Sequence, residues 1–360
     1  MTAATLLPDP RLEGTLSVLA PDGSLLRPDL VPDDETLLSL YTGMRRARVF
    51  DDRAMVLQRQ GKLGVYPCFG GMEATQVGAA TALEHGDWVL PTYRGTALAM
   101  VRGMSLAHIL LAWRGHPAGY QVDPELHILP FYIPIANQIP HTAGIALAEK
   151  RRGTGRVAMA FIGDGGTSEG DFHVGVNFAG AFGAPAIFVI ENNGWAISTP
   201  TSVQTAAKNL ASRAEGYGMP GVRVDGNDVL AMYHVTREAA ERARRGEGPT
   251  LIEAITYRIL PHTSSDDPGR YREETEAQAW KSGRDPGKRL RAYLESRGMW
   301  SEAQEQQVMQ AMEAEIKAAM LLADQAPEIL PEALLEHIYA EPLPEMLEQL
   351  EEIRALGALE

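Results

Sequence analysis

A short glycine-rich stretch places an aspartate where a strand passes into a helix, and two asparagines follow the next strand. The first stretch reads FIGDGGTSEG, with Asp164 between Gly163 and Gly165, and the second reads FVIENNGWAIS, with Asn192 and Asn193. Glycine turns of this kind often receive phosphate groups, because backbone N–H groups and the helix dipole favour negative charge. An aspartate has the wrong sign for such a site, so its presence needs a physical explanation.

Two explanations of the Gly-Asp-Gly turn compete at this point. The simpler one is a tight turn that needs only the backbone freedom of glycine. The other is a nicotinamide-dinucleotide site, since strand, Gly-x-Gly, helix and strand occur in order and the second strand ends in the acidic Glu191. That fingerprint fails at Ser168, where its third glycine belongs, and Asp164 would face the pyrophosphate. Like unit charges about 4 Å apart repel by about 4 kcal/mol at an effective dielectric constant near 20.

A divalent cation between the aspartate and a diphosphate removes this conflict. Mg²⁺ suits the position, because it prefers oxygen ligands and commonly joins one or two protein oxygens to a diphosphate. The chain between Gly165 and Asn192 suffices for one crossover helix and a return strand, so both strand ends meet at the carboxyl edge of a parallel sheet. Asn193 can then add an oxygen ligand beside Asp164 without further charge. The N–H groups of Gly165 and Gly166 can approach the phosphates.

The motifs lie within a long alternation of short apolar strands and helices. DWVLPTY, RVAMAFIG, APAIFVIEN, VRVDG and TLIEAITYRI read as strands, and helical stretches separate them. Strands that are almost continuously apolar indicate a parallel sheet covered on both faces. We therefore predict an α/β fold with a doubly wound, mainly parallel sheet. The predicted divisions are an N-terminal arm at residues 1–35, one α/β domain at residues 36–325 and a C-terminal helical tail at residues 326–360.

The composition narrows the class of protein. The 360 residues include 33 basic and 47 acidic side chains, and the formal net charge of -14 disfavours nucleic-acid binding. Cys68 is the only cysteine, which excludes an internal disulfide and a thiolate metal cluster. The sequence shows neither a run of apolar residues long enough to span a membrane nor a signal peptide. We expect a cytoplasmic protein that does not bind membranes.

Gly-Asp-Gly, a spacer of this length and Asn-Asn together resemble the diphosphate-binding signature of thiamine diphosphate enzymes. The wider stretches GDGGTSEGDFHVGVNFAGAFGAPAIFVIENNGWAISTPT, RVDGNDVLAMY and GEGPTLIEAITYRILPHTSSDDPGRYR resemble the alpha subunit of the decarboxylating dehydrogenase of 2-oxo acid complexes. This resemblance, over residues 35–340, implies the thiamine diphosphate-binding fold, with thiamine diphosphate and magnesium as cofactors. It also implies oxidative decarboxylation of a small 2-oxo acid and reductive acylation of lipoyl groups.

The family motifs point to two substrates. RGHPAGYQVDPELHILP resembles the bacterial pyruvate type, whereas NNGWAISTPT and VDGNDV resemble branched-chain members. Pyruvate is therefore the first expectation and 2-oxoisovalerate the alternative. A noncatalytic nucleotide-binding protein of the same fold is a more remote alternative.

The resemblance implies roles for residues around the glycine turn. The family's magnesium ligands correspond to Asp164, Asn193 and the backbone carbonyl of Trp195. Tyr93 and Arg94 in LPTYRGT match a pair that contacts the diphosphate, and a guanidinium can form paired hydrogen bonds with phosphate oxygens.

A second family segment, PFYIPIANQIP, matches the stretch whose main chain meets the aminopyrimidine ring. Its cofactor candidates are Ile133 and Ile135, which we expect to contact the ring through main-chain atoms while their side chains are buried.

The loop at residues 259–275 carries further candidates. His262 in ILPHTSSDDPG matches a family histidine that approaches the diphosphate and orients the substrate, and a near-neutral pKa suits proton transfer. Arg258 and Tyr271 match residues that organise this loop, although simple loop packing is their alternative role. Asp171 matches an acid on a path between two cofactor sites, and it would equally suit the dipole of its helix. The resemblance makes these four the expected catalytic residues.

One part of the family's active site has no counterpart in this chain. In this family, activation of the cofactor needs an acid at the aminopyrimidine ring, normally a glutamate from a second, pyrimidine-binding domain. Once the diphosphate domain and the C-terminal helices are placed, we expect no such second domain within these residues. The resemblance therefore implies a beta subunit in an α2β2 heterotetramer and a lipoyl acyltransferase as acceptor. Val65, Tyr66 and Pro67 are expected to line the substrate pocket. The apolar stretches LAMVRGMSLAHILLAW and FHVGVNFAGAF would form subunit contacts or internal core.

Overall fold

A computed structural model describes residues 9–330, 333, 335 and 338–357, and a parallel sheet forms its centre. The strands, in chain order, are β1 (Trp88–Leu90), β2 (Ala158–Gly163), β3 (Ala186–Asn192), β4 (Trp195–Ala196), β5 (Thr199–Pro200), β6 (Gly221–Asp225) and β7 (Thr250–Ile255). Five of them form the main sheet in the order β1-β2-β3-β7-β6, with every neighbouring pair parallel. The other two form an antiparallel hairpin directly after β3.

Helices precede and follow these strands along the chain. Within the described residues the α-helices are α1 (Asp34–Arg59), α2 (Glu73–Thr81), α3 (Thr96–Val101), α4 (Leu106–Trp113), α5 (Gln138–Arg152), α6 (Gly170–Phe182), α7 (Thr201–Gln204), α8 (Val229–Arg244), α9 (Glu274–Gly283), α10 (Pro286–Ser296), α11 (Glu302–Asp324) and α12 (Pro344–Gly357). Side-chain caps start several of them. Asp33, for example, accepts a hydrogen bond from the N–H of Thr36 at the start of α1.

Both faces of the sheet are buried, because successive side chains of a strand point to opposite sides. In β2, Met159 and Phe161 join the apolar core formed with α1, α2 and α8, whereas Ala160 and Ile162 join a second core formed with α5 and α6. The doubly wound, mainly parallel sheet predicted from the sequence is therefore confirmed.

The N-terminal arm packs along the free edge of the sheet. Leu16 forms a parallel bridge with Val224 of β6, and the guanidinium of Arg223 donates hydrogen bonds to the carbonyls of Arg11 and Glu13. The predicted arm and helical tail include residues 1–8, 331, 332, 334, 336, 337 and 358–360, which lie outside the described residues. Along the described ranges, no helix combines the length and apolarity needed to cross a membrane.

A buried ion-pair cluster holds the arm to the body of the protein. Arg289 of α10 places Nη1 2.7 Å from Asp225 and Nη2 3.3 Å from Asp228, and all three side chains are buried. Asp228 also accepts hydrogen bonds from the backbone N–H groups of Val18 and Leu19, at 2.6 and 2.7 Å. The cluster thus joins the arm, β6, α8 and α10.

Replacing Arg289 with alanine should lower the free energy of unfolding by about 3–5 kcal/mol, because two buried carboxylates lose their counter-charge. Urea denaturation of the purified chain measures this. The matched control is Arg291→Ala on the same helix, whose guanidinium contacts Glu295 and Glu302 at the surface and whose loss should cost at most about 1 kcal/mol. Equal losses in the two variants would contradict a special role for the buried cluster.

Candidate active site

The carboxyl ends of the parallel strands bring separate segments of the chain to one edge of the sheet. Gly163 at the end of β2 pairs with Glu191 of β3, so Asp164 lies beside the Asn-Asn turn. The chain after β7 continues along that turn, with the N–H of Thr256 donating to the carbonyl of Asn192 and the N–H of Arg258 to that of Asn193. This is the edge at which ligands bind in open α/β sheets.

The carboxylate of Asp164 is buried and only half of it is hydrogen-bonded. Its Oδ2 accepts from Thr201 Oγ1 at 2.7 Å and from Gln204 Nε2 at 3.0 Å. Its Oδ1 has no hydrogen-bond partner among the described residues. Burial raises the pKa of Asp164, although these hydrogen bonds act in the opposite direction. A buried acceptor oxygen without a partner fits a metal ligand, since a cation would compensate its charge.

The two other predicted ligand atoms lie in one tight turn after β3. Asn193 Oδ1 accepts from the N–H of Trp195 at 3.1 Å, and the Trp195 carbonyl accepts from Arg258 Nη1 at a longer 3.5 Å. Each oxygen therefore keeps a lone pair for a cation. Among the described residues no cluster of three or more His, Cys, Asp or Glu side chains could hold a metal. A mixed set of one carboxylate, one amide and one backbone carbonyl is the set that this edge offers.

The glycine turn lies in close contact with its surroundings. A Cβ atom on Gly165 would lie 2.3 Å from the Cβ of Ala196 in the hairpin, and one on Gly166 would lie 2.7 Å from Ile162 Cγ1. Only glycine allows the backbone to approach this closely. Gly163, in contrast, has open space where a side chain would stand.

Two buried guanidinium groups converge on His262. Arg94 Nη2 lies 3.1 Å and Arg258 Nη1 lies 3.3 Å from His262 Nδ1. Arg94 is 5% and Arg258 is 1% exposed, yet within residues 9–330 and 338–357 neither forms an ion pair with a carboxylate. Other donors of the two groups reach carbonyl and hydroxyl oxygens, namely those of Cys68, Ile197 and Tyr271, whereas Arg258 Nε has no hydrogen-bond partner in the described structure. Buried cations without a directly paired carboxylate favour a bound anion.

The protonation state of His262 follows from these neighbours. A guanidinium can only donate hydrogen bonds, so Nδ1 must accept and the ring proton stands on Nε2. Burial lowers the pKa of His262 to about 4, and the charges of Arg94 and Arg258 act in the same direction. At neutral pH the imidazole is therefore uncharged, with Nε2–H as a hydrogen-bond donor.

His262 should make the ligand-free chain less stable as the pH falls. Between pH 6.5 and pH 4 an unfolded histidine takes up a proton that folded His262 does not bind, so the native state loses stability across this window. The His262→Asn variant lacks this titration. Between pH 6.5 and pH 4 its free energy of unfolding should therefore fall by about 1–2 kcal/mol less than that of the wild type, after allowance for the partial exposure of His262. Urea denaturation of both forms at a series of pH values measures the difference, because other titrating groups are shared. Parallel stability curves would contradict the lowered pKa.

Hydrogen bonds order the loop that carries His262. The hydroxyl of Tyr271 donates to Asp266 at 2.6 Å and accepts from Arg258 Nη2 at 2.8 Å, while the backbone N–H of His262 donates to the same carboxylate at 2.8 Å. Arg258 also donates to the carbonyl of Ile197 at 2.6 Å. Ile197 has a φ of 53°, a left-handed conformation that is strained for a β-branched residue. One arginine thus ties the strained hairpin to the His262 loop.

Other predicted residues lie near this group. The rings of Tyr93 and His262 lie at 75° to each other with 6.1 Å between their centroids. Asp171 at the start of α6 accepts a hydrogen bond from the side chain of Asn137. Ile133 and Ile135 are 53% and 45% exposed, so the expectation that their side chains are buried is wrong. They belong to an irregular segment before α5 that runs over the glycine turn instead of into the core.

Sequence reasoning missed several residues of this edge. Thr201 and Gln204, which contact Asp164, come from the short helix α7, and Gln76 of α2 donates to Glu191 at 3.2 Å. Burial raises the pKa of Glu191 to about 7. The polar run STPTSVQ after the Asn-Asn turn is the only sequence signal for α7, and it does not show that the chain folds back.

Some of the expected pocket residues and apolar stretches are exposed, and others are buried. Val65 is 56% exposed, whereas Tyr66 and Pro67 are buried. The stretch at residues 98–113 lies mostly in the core, but α6 exposes Val174 and Phe182.

Comparison with known proteins identifies the family of this chain. The family model described as "Dehydrogenase E1 component" matches residues 41–332. Two similar curated relatives are each named "Pyruvate dehydrogenase E1 component subunit alpha", one from Staphylococcus epidermidis and one from Staphylococcus aureus (strain MRSA252). Both are 45% identical over 339 residues, which cover 93% of this chain and 91% of the relative. This chain therefore belongs to the dehydrogenase E1 component family, as an alpha-type subunit of a thiamine-dependent 2-oxo acid dehydrogenase.

Proposed function

We propose that this chain is the alpha subunit of a pyruvate dehydrogenase E1 component, which decarboxylates pyruvate oxidatively and acylates lipoyl groups. The observation that carries the proposal is that buried groups of both charge signs at the strand ends lack a charged partner in the described part of the chain. Asp164 has a buried oxygen without a partner, and Arg94 and Arg258 are buried without a carboxylate in the described part of the chain. A magnesium ion with a diphosphate supplies both missing charges.

The proposed binding roles follow from the donors and acceptors present. Asp164, Asn193 and the carbonyl of Trp195 would hold magnesium, since their oxygens lie at the same strand ends. Arg94 would bind diphosphate oxygens through its guanidinium, with Tyr93 beside it. The N–H groups of the glycine turn would complete the phosphate contacts. Bound thiamine diphosphate supplies a thiazolium carbon that adds to the 2-oxo group and stores the electrons released with carbon dioxide.

The proposed catalytic roles belong to the loop and the nearby helix. His262 would present Nε2–H as a neutral donor that orients the substrate and can exchange a proton. Arg258 and Tyr271 would hold that imidazole in place through the hydrogen bonds that join the hairpin to the loop. Asp171, at the start of α6, would contribute to an acidic path that links two cofactor sites.

We also propose the assembly expected from the family: an α2β2 heterotetramer with a beta subunit, and a lipoyl acyltransferase as acceptor, in the cytoplasm. An alpha subunit of an E1 component implies a beta subunit and complex partners. The exposed side chains of Val174, Phe178 and Phe182 repeat every four residues along α6, and such a stripe supports a subunit contact through this helix.

Reconstitution with the beta subunit tests the substrate. Steady-state rates on pyruvate and on 2-oxoisovalerate, with a lipoyl domain as acceptor, should favour pyruvate, in line with the names of the relatives. A preference for 2-oxoisovalerate would identify a branched-chain enzyme. The absence of any cofactor-dependent decarboxylation, with or without the beta subunit, would support the noncatalytic alternative.

A further inference from the structure

Asp51, on the inner face of α1, is a buried carboxylate outside the set of expected site residues. Its side chain is 0% exposed, and it accepts three hydrogen bonds: from Tyr66 Oη at 2.9 Å, from the N–H of Phe69 at 3.1 Å and from the N–H of Gly70 at 2.9 Å. Within the described residues it forms no ion pair. A buried charge without a counter-charge is unfavourable for folding, so its presence suggests a functional reason.

The three donors all belong to residues 66–71, here called the clamp segment. This segment is joined to the His262 loop at two places. Tyr66 exchanges hydrogen bonds with Ser264, at 3.0 Å to the hydroxyl and 2.9 Å from the N–H, and Cys68 Sγ lies 3.2 Å from the carbonyl of Pro261. The conformation of the clamp segment therefore sets the position of the loop on both sides of His262.

The clamp segment also contacts Arg94. The carbonyl of Cys68 accepts a hydrogen bond from Arg94 Nη1, while Nη2 of the same guanidinium reaches His262. The orientation of this guanidinium thus depends on where the carbonyl of Cys68 stands.

Close packing links the position of Asp51 to the hydrogen bond between Arg94 and the carbonyl of Cys68. A Cβ atom on Gly70 would lie 3.2 Å from Asp51 Oδ2 and 2.7 Å from Leu260 Cδ1 of the His262 loop. Gly71 has a φ of +96°, which only glycine adopts readily. The segment is therefore held between the carboxylate on one side and the loop on the other, with little space to shift.

We propose that Asp51 is a positioning residue for the diphosphate site: its carboxylate fixes the clamp segment, which orients Arg94 and the His262 loop. The inference rests on the proposed function. Three donors converge on two carboxylate oxygens, and an asparagine at this position offers one oxygen and directs an amide N–H₂ group at a donor. The clamp segment would then move away from Asp51, and the carbonyl of Cys68 would move with it.

The substitution Asp51→Asn should separate positioning from packing. Burial raises the pKa of Asp51 to about 7, so the change removes an unfavourable charge while keeping the volume. Loss of this charge raises stability and the mispaired donor lowers it, so the midpoint of thermal unfolding should change little. The affinity of the reconstituted holoenzyme for thiamine diphosphate with Mg²⁺ should fall about ten- to hundredfold, as for residues that orient direct ligands. Affinity for inorganic diphosphate with Mg²⁺ should fall in parallel, because the group that moves is the Arg94 guanidinium, which is proposed to bind phosphate oxygens.

Two further variants are measured in the same way, with the affinities determined by isothermal titration calorimetry. Asp52→Asn changes the same charge at the next position of α1, where the side chain is exposed, and should keep wild-type affinity. Tyr66→Phe removes one donor to Asp51 and keeps the ring, so it should give a smaller loss in the same direction. This variant also tests the idea if Asp51→Asn does not fold.

Three outcomes would overturn the inference while leaving the proposed function intact. They are a folded Asp51→Asn enzyme with the affinity of Asp52→Asn, a loss of affinity matched by a lower unfolding midpoint, and wild-type affinity in Tyr66→Phe. If the wild-type holoenzyme itself bound no thiamine diphosphate, the proposed function would fail first.

Discussion

Replacing Asp164 with asparagine should abolish magnesium-dependent binding of thiamine diphosphate without unfolding the chain. The Asp164 carboxylate carries the only full negative charge of the proposed ligand set, and its Oδ1 has no partner among the described residues. Since removal of a residue that merely orients a ligand costs roughly ten- to hundredfold in affinity, loss of the ligand itself should cost more than about a hundredfold. Isothermal titration calorimetry of the cofactor with Mg²⁺ measures this directly.

The stability of the same variant provides the second half of the test. Burial of the Asp164 charge is unfavourable in the ligand-free chain, as its raised pKa shows. The asparagine amide can donate to Gln204 Oε1, which is itself buried without a partner in the described structure. The free energy of unfolding should therefore hold or rise by up to about 1 kcal/mol. Asp123→Asn, at an exposed cap, is the control. Unchanged cofactor affinity in Asp164→Asn would refute the magnesium assignment.

Replacing Arg94 with alanine should have the second largest effect, a loss of about 2–4 kcal/mol in binding thiamine diphosphate, or roughly thirty- to thousandfold. Arg94 is buried and lacks a carboxylate partner in the described part of the chain, so its charge is available to a bound anion. Titrations with thiamine diphosphate and with inorganic diphosphate, each with Mg²⁺, should show the same loss, because the contact is to phosphate oxygens. Arg94→Lys should bind with intermediate affinity, since lysine keeps the charge without the fork.

The chain offers a matched control for this arginine. Arg102, just after α3, also donates to backbone carbonyls, those of Glu84, His85 and Asp87. These carbonyls precede β1 and so lie at the opposite end of the strand from Arg94. Arg102→Ala should therefore leave the affinity for both ligands unchanged. Equal losses in the two variants would mean that the effect of Arg94 is general electrostatics and not a phosphate contact.

The local sequence predicted the sheet and the place of the site. Continuous apolar runs such as AMAFI and AIFVI are buried on both faces in the structure, as the absence of alternation indicates. Glycines and polar residues directly after those runs marked the strand ends, and parallel pairing then required Asp164 and the Asn-Asn turn to share one edge. These inferences depend only on periodicity and on short connections, which neighbouring residues determine.

Only the tertiary structure decided which groups hold the buried charges. Asp164 accepts hydrogen bonds from Thr201 and Gln204 of a helix after the hairpin. Asp51 holds a segment that follows its own helix, and Arg94 contacts His262, 168 residues further along the chain. Ile133 and Ile135 lie on the surface despite their apolar type. A buried charge or an apolar side chain can be satisfied by any segment that reaches it, and the local sequence carries no signal for which distant segment does.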